Sequence, residues 1–585
     1  MKKVLTSLLK SPCRVQTIED TDRETFHQFN YLQRYHPGLE TFTLPEGRSR
    51  RLATLPHSYQ VRTWKAQSPD DARIYDVTLE DASGAQTDGK AFIKVVHLLD
   101  PITLLREEYM IPDHPLLPLG EEAWKHTMTK LHSKCNQAYV DAIACYIIGQ
   151  LRAEGHTPHA ALSYGSFTAI AKNYKYKITD EYEGYRKCRW FWRGLKAHSA
   201  SLEVERDSEN VFENPDYAEI VQTAFTCPFE SLDEHSVANT EELDVGDVPE
   251  VIEDTNSLHS FDFDVTEEEE APKEPVTEQT IRIERVDAEE DSEEDGGDSE
   301  GDSDSHSGSD STEFDVTINL PSMPVIIICQ EAQESTMDDL LDEEEIDGVK
   351  RDTPAWDRMW LAWLFQVIAN LSFLQRHISF THNDLHTNNI VWRKTEDTYL
   401  YYKAADGMTF RVPTHGRIFS IIDFGRAIFK IQDQLWISDD HLPDNDAGGQ
   451  YNFAHFQSIE SPKVVPNPSF DLCRLAISML EGLYDDYPKK KAHGALLSQE
   501  GTWKVYETVS PLFNLLWQWT LDDDGKTVFE DRDGEEKYPG FELYVMIAKT
   551  VHDAVPKDQV RKPVFESFHY KGKIPPKTQV YSLGC

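Results

Sequence analysis

The sequence predicts an α+β fold of two lobes. The first is an antiparallel sheet with a helix against it, interrupted by a long acidic insertion; the second is mainly helical. Three observations lead there. Ala91-Phe92-Ile93-Lys94-Val95-Val96 is a β-branched run with one lysine, preceded by a turn marked by Gly84 and Gly89. From Gln137 to Leu151 apolar residues recur at 140, 143, 144, 147, 148 and 151, the period of a helix. Beyond the acidic run, Trp356–Phe373 is a long apolar helical pattern, and Asn467-Pro468-Ser469-Phe470-Asp471 opens another helix.

Between these elements the chain supplies shorter signals. Leu162-Ser163-Tyr164-Gly165-Ser166-Phe167 reads as the end of a strand. Pro324–Ala332 reads as a buried strand, followed by a short helix start at Thr336–Leu341. The resulting divisions are an N-terminal extension (1–45), the first part of the sheet lobe (46–227), the acidic insertion (228–318), the last strand and connection of that lobe (319–345), the helical lobe (346–570) and a tail (571–585).

Charge is distributed unevenly. The 585 residues carry a formal net charge of −45, and the stretch 228–318 holds 33 of the 103 acids but only Lys273, Arg282 and Arg285 as bases. Its core, Asp291–Asp304, consists of Asp, Glu, Ser and Gly, a composition that self-repulsion keeps disordered. Such a segment does not bind nucleic acid, which requires lysine and arginine against phosphate. Its charge points instead to a basic protein partner. Ser292, Ser299 and Ser303 have acids just downstream, as an acid-directed kinase requires. The eight cysteines form no C-x-x-C pair, which fits a reducing compartment without disulfides or a zinc site. Met1–Lys10 is too interrupted for a signal h-region, Cys585 is misplaced for prenylation, and no run reaches membrane-spanning length. The expectation is a soluble intracellular protein.

The chemistry is concentrated in His382-Asn383-Asp384-Leu385-His386-Thr387-Asn388-Asn389 and in Asp423-Phe424-Gly425. Each motif adjoins a short apolar strand, Ile390-Val391-Trp392 after the first and Ile418–Ile422 before the second. An Asp and an Asn five residues apart, with a second Asp beside a Gly, suit phosphoryl transfer from ATP. One carboxylate takes the acceptor's proton, and an amide and a second carboxylate hold Mg²⁺. On that reading Asp384 is the catalytic base, with His386 two residues on, and Asn389 and Asp423 are the metal ligands. Lys94 grips the phosphates and Asp141 is its helix partner, with Glu107 and Glu108 as rivals. Backbone from Glu331 to Gln333 would meet the adenine edge, with Gln330 as gatekeeper; an Asp placed like Asp471 braces the catalytic loop in kinases, and equally suits the first turn of its helix through the macrodipole.

Together these blocks, with Leu98-Leu99-Asp100-Pro101 and Asn467–Leu475, resemble the serine/threonine protein kinases assigned to giant viruses (nucleocytoplasmic large DNA viruses), within the protein-kinase-like superfamily. The resemblance covers about residues 90–480. It implies a bilobal kinase fold, ATP and Mg²⁺ as cofactors, a protein substrate, and a place in host cytoplasm or virion. Departures accompany it. No glycine occurs between Gly47 and Gly84, so the G-x-G-x-x-G loop is missing; Asn383 replaces the Arg of H-R-D; His386 stands where a Lys is usual; and A-P-E is absent. Asn389 and Asp423 are separated by an apparent hairpin around Asp406-Gly407. The alternatives are a small-molecule phosphotransferase of the aminoglycoside- or choline-kinase type, which shares Asp384-Leu385-His386, and a pseudokinase scaffold.

Overall fold

A computed structural model describes most of residues 26–229 and 314–584; outside it lie 1–25, 38–56, 233–313, 452–464, most of 112–123 and a few single positions. The acidic run, with its predicted disorder and its three serines, falls outside the described residues. The described residues up to 229 and from 314 onward form one compact unit.

Six antiparallel strands make the main sheet: β1 (Phe29–Gln33), β2 (Tyr59–Gln67), β3 (Ile74–Asp81), β4 (Gln86–His97), β5 (Ser163–Ala171) and, far along the chain, β10 (Met323–Glu331). Their spatial order is β1-β5-β10-β4-β3-β2. Composition explains the order. In β10, Met-Pro-Val-Ile-Ile-Ile-Cys-Gln is buried throughout, as a central strand covered on both faces must be. In β2, arginine, lysine and glutamine face solvent at the edge. The predicted N-terminal extension contributes β1, because Phe29 is buried and registers with Ala171.

Between β4 and β5 run α1 (Pro101–Leu105), α2 (Lys125–His132) and α3 (Gln137–Ala153). Asp100 caps α1 and Asn136 caps α3, each side chain accepting a backbone N–H of its helix's first turn. Helix α3 lies against β5 and β10. Contact is close at Gly149, where a Cβ would stand 2.7 Å from the Ser163 backbone nitrogen.

The chain from β5 to β10 makes an excursion that the sequence did not signal. It begins with β6 (Tyr174–Lys177), continues through α4 (Arg189–Ala197), β7 (Ser201–Arg206) and β8 (Glu209–Asn210), and returns as β9 (Asp315–Leu320), in a sheet of order β6-β9-β7-β8. Strand β9 starts inside the segment drawn as insertion to 318, since Val316 and Ile318 alternate inward and are buried. Helix α4 sits on α1, with Gly194 directly against the Leu105 carbonyl.

The remainder is built around α5 (Pro354–Ile378), capped by Thr353, begun by Pro354 and ended by Ser379 in the left-handed region at φ 51°. Trp360, Trp363 and Phe365 on this helix are wholly buried. Against it lie β11 (Ile390–Lys394), the hairpin β12 (Tyr399–Lys403) and β13 (Thr409–Pro413), and β14 (Arg417–Ile421), which pairs with β11. Helices α6 (Phe470–Leu483), α7 (Pro511–Trp519) and α8 (Glu542–Thr550) follow, α7 and α8 both packing on α6. A last strand, β15 (Val580–Ser582), adds in parallel to β12. The fold is therefore mixed α and β, with an antiparallel sheet in its first part; the last part, expected to be mainly helical, interleaves its helices with short strands, because hairpins such as β12–β13 supply the wall against α5. Among the described residues no helix is long and apolar enough to cross a membrane.

Candidate active site

Lys94 stands midway along β4, opposite Ile328 of β10. Its Nζ is 2.7 Å from Asp141 Oδ2 on α3 and 2.8 Å from Asp423 Oδ1, just past β14. Burial alone would weaken the ammonium, but Asp141 and Asp423 outweigh it and hold Lys94 well above the ordinary lysine value. Desolvation likewise opposes the charge on Asp423, and Lys94 overcomes it, so that carboxyl lies below its ordinary value. Asp141 is 1% exposed, and its other oxygen accepts the Phe424 N–H at 3.0 Å. Glu107, a rival for this position, pairs instead with Arg193.

The 382–389 segment links α5 to β11 and is held from beneath. Asp471, wholly buried at the start of α6, accepts the backbone N–H groups of His382 (3.0 Å) and Asn383 (3.0 Å). Burial pushes its carboxyl up, and these two donors act against that. The His382 ring bonds the Ile422 carbonyl through Nε2 at 2.8 Å, and the Ile422 N–H donates to the Asn389 carbonyl at 3.0 Å. Those bonds tie the two motifs together. Phe424 is buried between the Phe380 and His382 rings. Asn383 and Asp423 both adopt positive φ, 67° and 63°. That conformation carries strain at non-glycine residues and concentrates at functional sites.

Asn383, in place of an arginine, is fully buried and works through its amide. Its Nδ2 donates to the Arg426 carbonyl at 2.9 Å and its Oδ1 accepts from the Tyr451 hydroxyl at 2.7 Å. Asp384 accepts from the Tyr544 hydroxyl at 2.6 Å, and its second oxygen lies 3.5 Å from Arg426 Nη1. Arg426 also faces Asp440 at 3.8 Å. Asn389 donates its Nδ2 to the Asp384 carbonyl at 2.8 Å and to His386 Nε2 at 3.1 Å. Burial holds His386 below the ordinary histidine value, so the ring is neutral near pH 7 and its Nε2 can accept that bond.

These contacts bear on whether the site suits Mg²⁺. With the Asn389 Nδ2 turned toward Asp384 and His386, its amide oxygen is left as a hard ligand, and Asp423 offers carboxylate oxygen. Among the described residues no group of three or more His, Cys, Asp or Glu is placed to hold a metal alone. Two oxygen ligands fit an ion whose remaining positions are filled by phosphate and water.

At the end of β10 the Gln330 amide oxygen lies near Cys145 of α3, and the Glu331 carboxylate pairs with Arg152. Gln333 folds its amide back onto the Glu331 carbonyl at 3.2 Å. The β2–β3 turn, Ser68–Arg73, bonds beside Lys94 through the Ile93 N–H to the Arg73 carbonyl at 2.8 Å. Where glycines would bare their backbone, this turn carries Asp70 and an Asp71–Arg73 pair. A cleft of about 560 Å³ opens over Asp384, with Asp338, His386, Arg474, Glu481 and Tyr544 in its wall.

Lys94, Asp141 and Asp423 are thus together, and Asp384, His386 and Asn389 share one loop bonded to the Asp423 strand. Glu331 and Gln333 lie at the end of β10, adjoining the strand that bears Lys94. Reading the sequence missed Arg426, although it directly follows Asp-Phe-Gly, and missed Arg474 and Tyr544, which no local signal marks. No protein-family profile matches the chain, and no curated protein is significantly similar to it.

Proposed function

We propose that the protein transfers the γ-phosphoryl group of ATP, with Mg²⁺, to a serine or threonine hydroxyl of a protein substrate, within a two-lobed protein-kinase-like fold. The observation that carries this reading is Lys94 bridging Asp141 and Asp423. The three come from a strand, a helix and a loop far apart in sequence, and a lysine so placed orients nucleotide phosphates. Asp384 receives the acceptor hydroxyl's proton. Asn389 and Asp423 would hold the metal, which neutralises charge on the phosphates when bound. Neutral His386 keeps the Asn389 amide oriented. The resemblance to giant-virus kinases agrees with this assignment.

The test is label transfer from γ-labelled ATP by the full chain and by Asp384→Asn, offered basic proteins, acidic proteins and small alcohols. Protein labelling that drops about 10³-fold in the variant is expected. Equal labelling by both overturns the role of Asp384. Small-molecule phosphotransfer is the second reading, favoured by Asp384-Leu385-His386 and by the absence of A-P-E. Label confined to the small alcohols would establish it.

A further inference from the structure

We propose that Tyr544 is a positioning residue for the base: with Arg474 behind it, it fixes Asp384 Oδ1 and leaves Oδ2 to the acceptor hydroxyl. The inference rests on the phosphotransferase reading and extends it to a residue 160 positions downstream of Asp384.

The direction of the hydrogen bonds follows from valence. Arg474 Nε lies 3.2 Å from the Tyr544 hydroxyl, and a guanidinium only donates. It therefore fills a lone pair on the phenol oxygen, and the phenolic proton points to Asp384 Oδ1, 2.6 Å away. A carboxylate is acceptor-only, so the bond cannot run the other way.

The ring is set as firmly as its hydroxyl. It stacks on Phe541 at 5.2 Å with 12° between planes, and meets Phe470 at 5.8 Å. The Arg474 guanidinium lies 5.6 Å from its centre. Helix α6 thus acts on Asp384 twice. Asp471 fixes the backbone just before it, and Arg474, one turn further along, orients the phenol that holds its carboxylate. Asp384 Oδ2 meets Arg426 only at 3.5 Å, longer than a strong charged hydrogen bond. Asp384, Arg474 and Tyr544 all line the cleft where an acceptor would enter.

The experiment is a double-mutant cycle on the full chain: wild type, Tyr544→Phe, Asp384→Asn and the double variant, with kcat, KM for MgATP and Tm measured for each. Phenylalanine keeps the ring contacts and removes only the hydroxyl. The expected result is a kcat about tenfold lower, with KM for MgATP within about twofold and Tm unchanged, and no further loss when the change is added to Asp384→Asn. Arg474→Gln, as a second variant, should lower kcat less and not add to Tyr544→Phe. A wild-type kcat in Tyr544→Phe, or the same tenfold loss in both backgrounds, overturns the positioning role and leaves the phosphotransferase reading intact. No turnover by wild type overturns both.

Discussion

Lys94 sits between two carboxylates at 2.7 and 2.8 Å, whereas Asp384 sits between one phenol at 2.6 Å and a guanidinium at 3.5 Å. The first group is held by full opposite charges and the second mainly by a neutral donor. A cation clamped by two anions keeps its charge across the working pH range, which suits a group that must always face phosphate. A carboxylate held by a phenol keeps an oxygen free to take a proton. On the proposed reading, the half that stays charged is the one clamped by ions and the half that reacts is the one held by a neutral donor.

Breaking either half tests that contrast. The largest effect is expected at Asp384, as given above. Next comes Lys94→Met, which removes the clamped cation and leaves Asp141 facing Asp423. Turnover should fall about 10²-fold, with a weaker apparent affinity for MgATP, measured by initial rates. Retention of wild-type kinetics would show that the ion pairs serve only the fold. Asp471→Ala probes the support under Asp384. It strands two buried N–H groups and should cost about 3 kcal/mol in denaturant unfolding. A loss under about 0.5 kcal/mol would mean that the loop finds other acceptors.

The smallest effect concerns Asp440, the other partner of Arg426. Burial, reinforced by Asp439, pushes its carboxyl from 3.8 up to about 7. Between those values the folded chain keeps a proton that the unfolded chain has released. Its contribution to stability is therefore full at low pH and is lost as pH rises through about 7. Asp440→Asn should flatten that decline, so the variant gains on wild type by about 2–3 kcal/mol between pH about 5 and about 8. Parallel stability curves over that window would contradict it.

Some of this was legible in the sequence and some was not, for physical reasons. Helix α3 and strand β4 declared themselves through periodicity and β-branching, and Asp141 could be named only because its helix follows the lysine strand in the slot whose acid pairs with that lysine. Asp384 and Asn389 were legible because one short loop sets them five residues apart, and Asp423 because it follows a strand and precedes Phe424-Gly425; the hairpin between Asn389 and Asp423 hides their mutual placement. Tyr544 was not, because its bond joins α8 to a loop 160 residues earlier. Its own segment, Glu542–Thr550, reads only as another amphipathic helix. The excursion sheet escaped for a similar reason. Tyr174-Lys-Tyr-Lys is too short to announce a strand, and its partner lies beyond the acidic run at Thr317–Leu320. The turn at Ser68–Arg73 was legible only as an absence of glycine, not as a pair of aspartates beside Lys94.

The excursion leaves the main sheet and re-enters it on the same rung. Ala171 registers with Met323, and beyond them Tyr174 with Leu320 and Lys177 with Thr317. Geometrically this is a hairpin whose turn has been replaced by some 140 residues, with both stems still closed. A change of length confined to the stretch between Phe229 and Phe314 should therefore leave the strand pairs that flank Lys94 unaltered. What such a change must leave in place is the packed part of the excursion, α4 seated on α1 and β7 paired with β9.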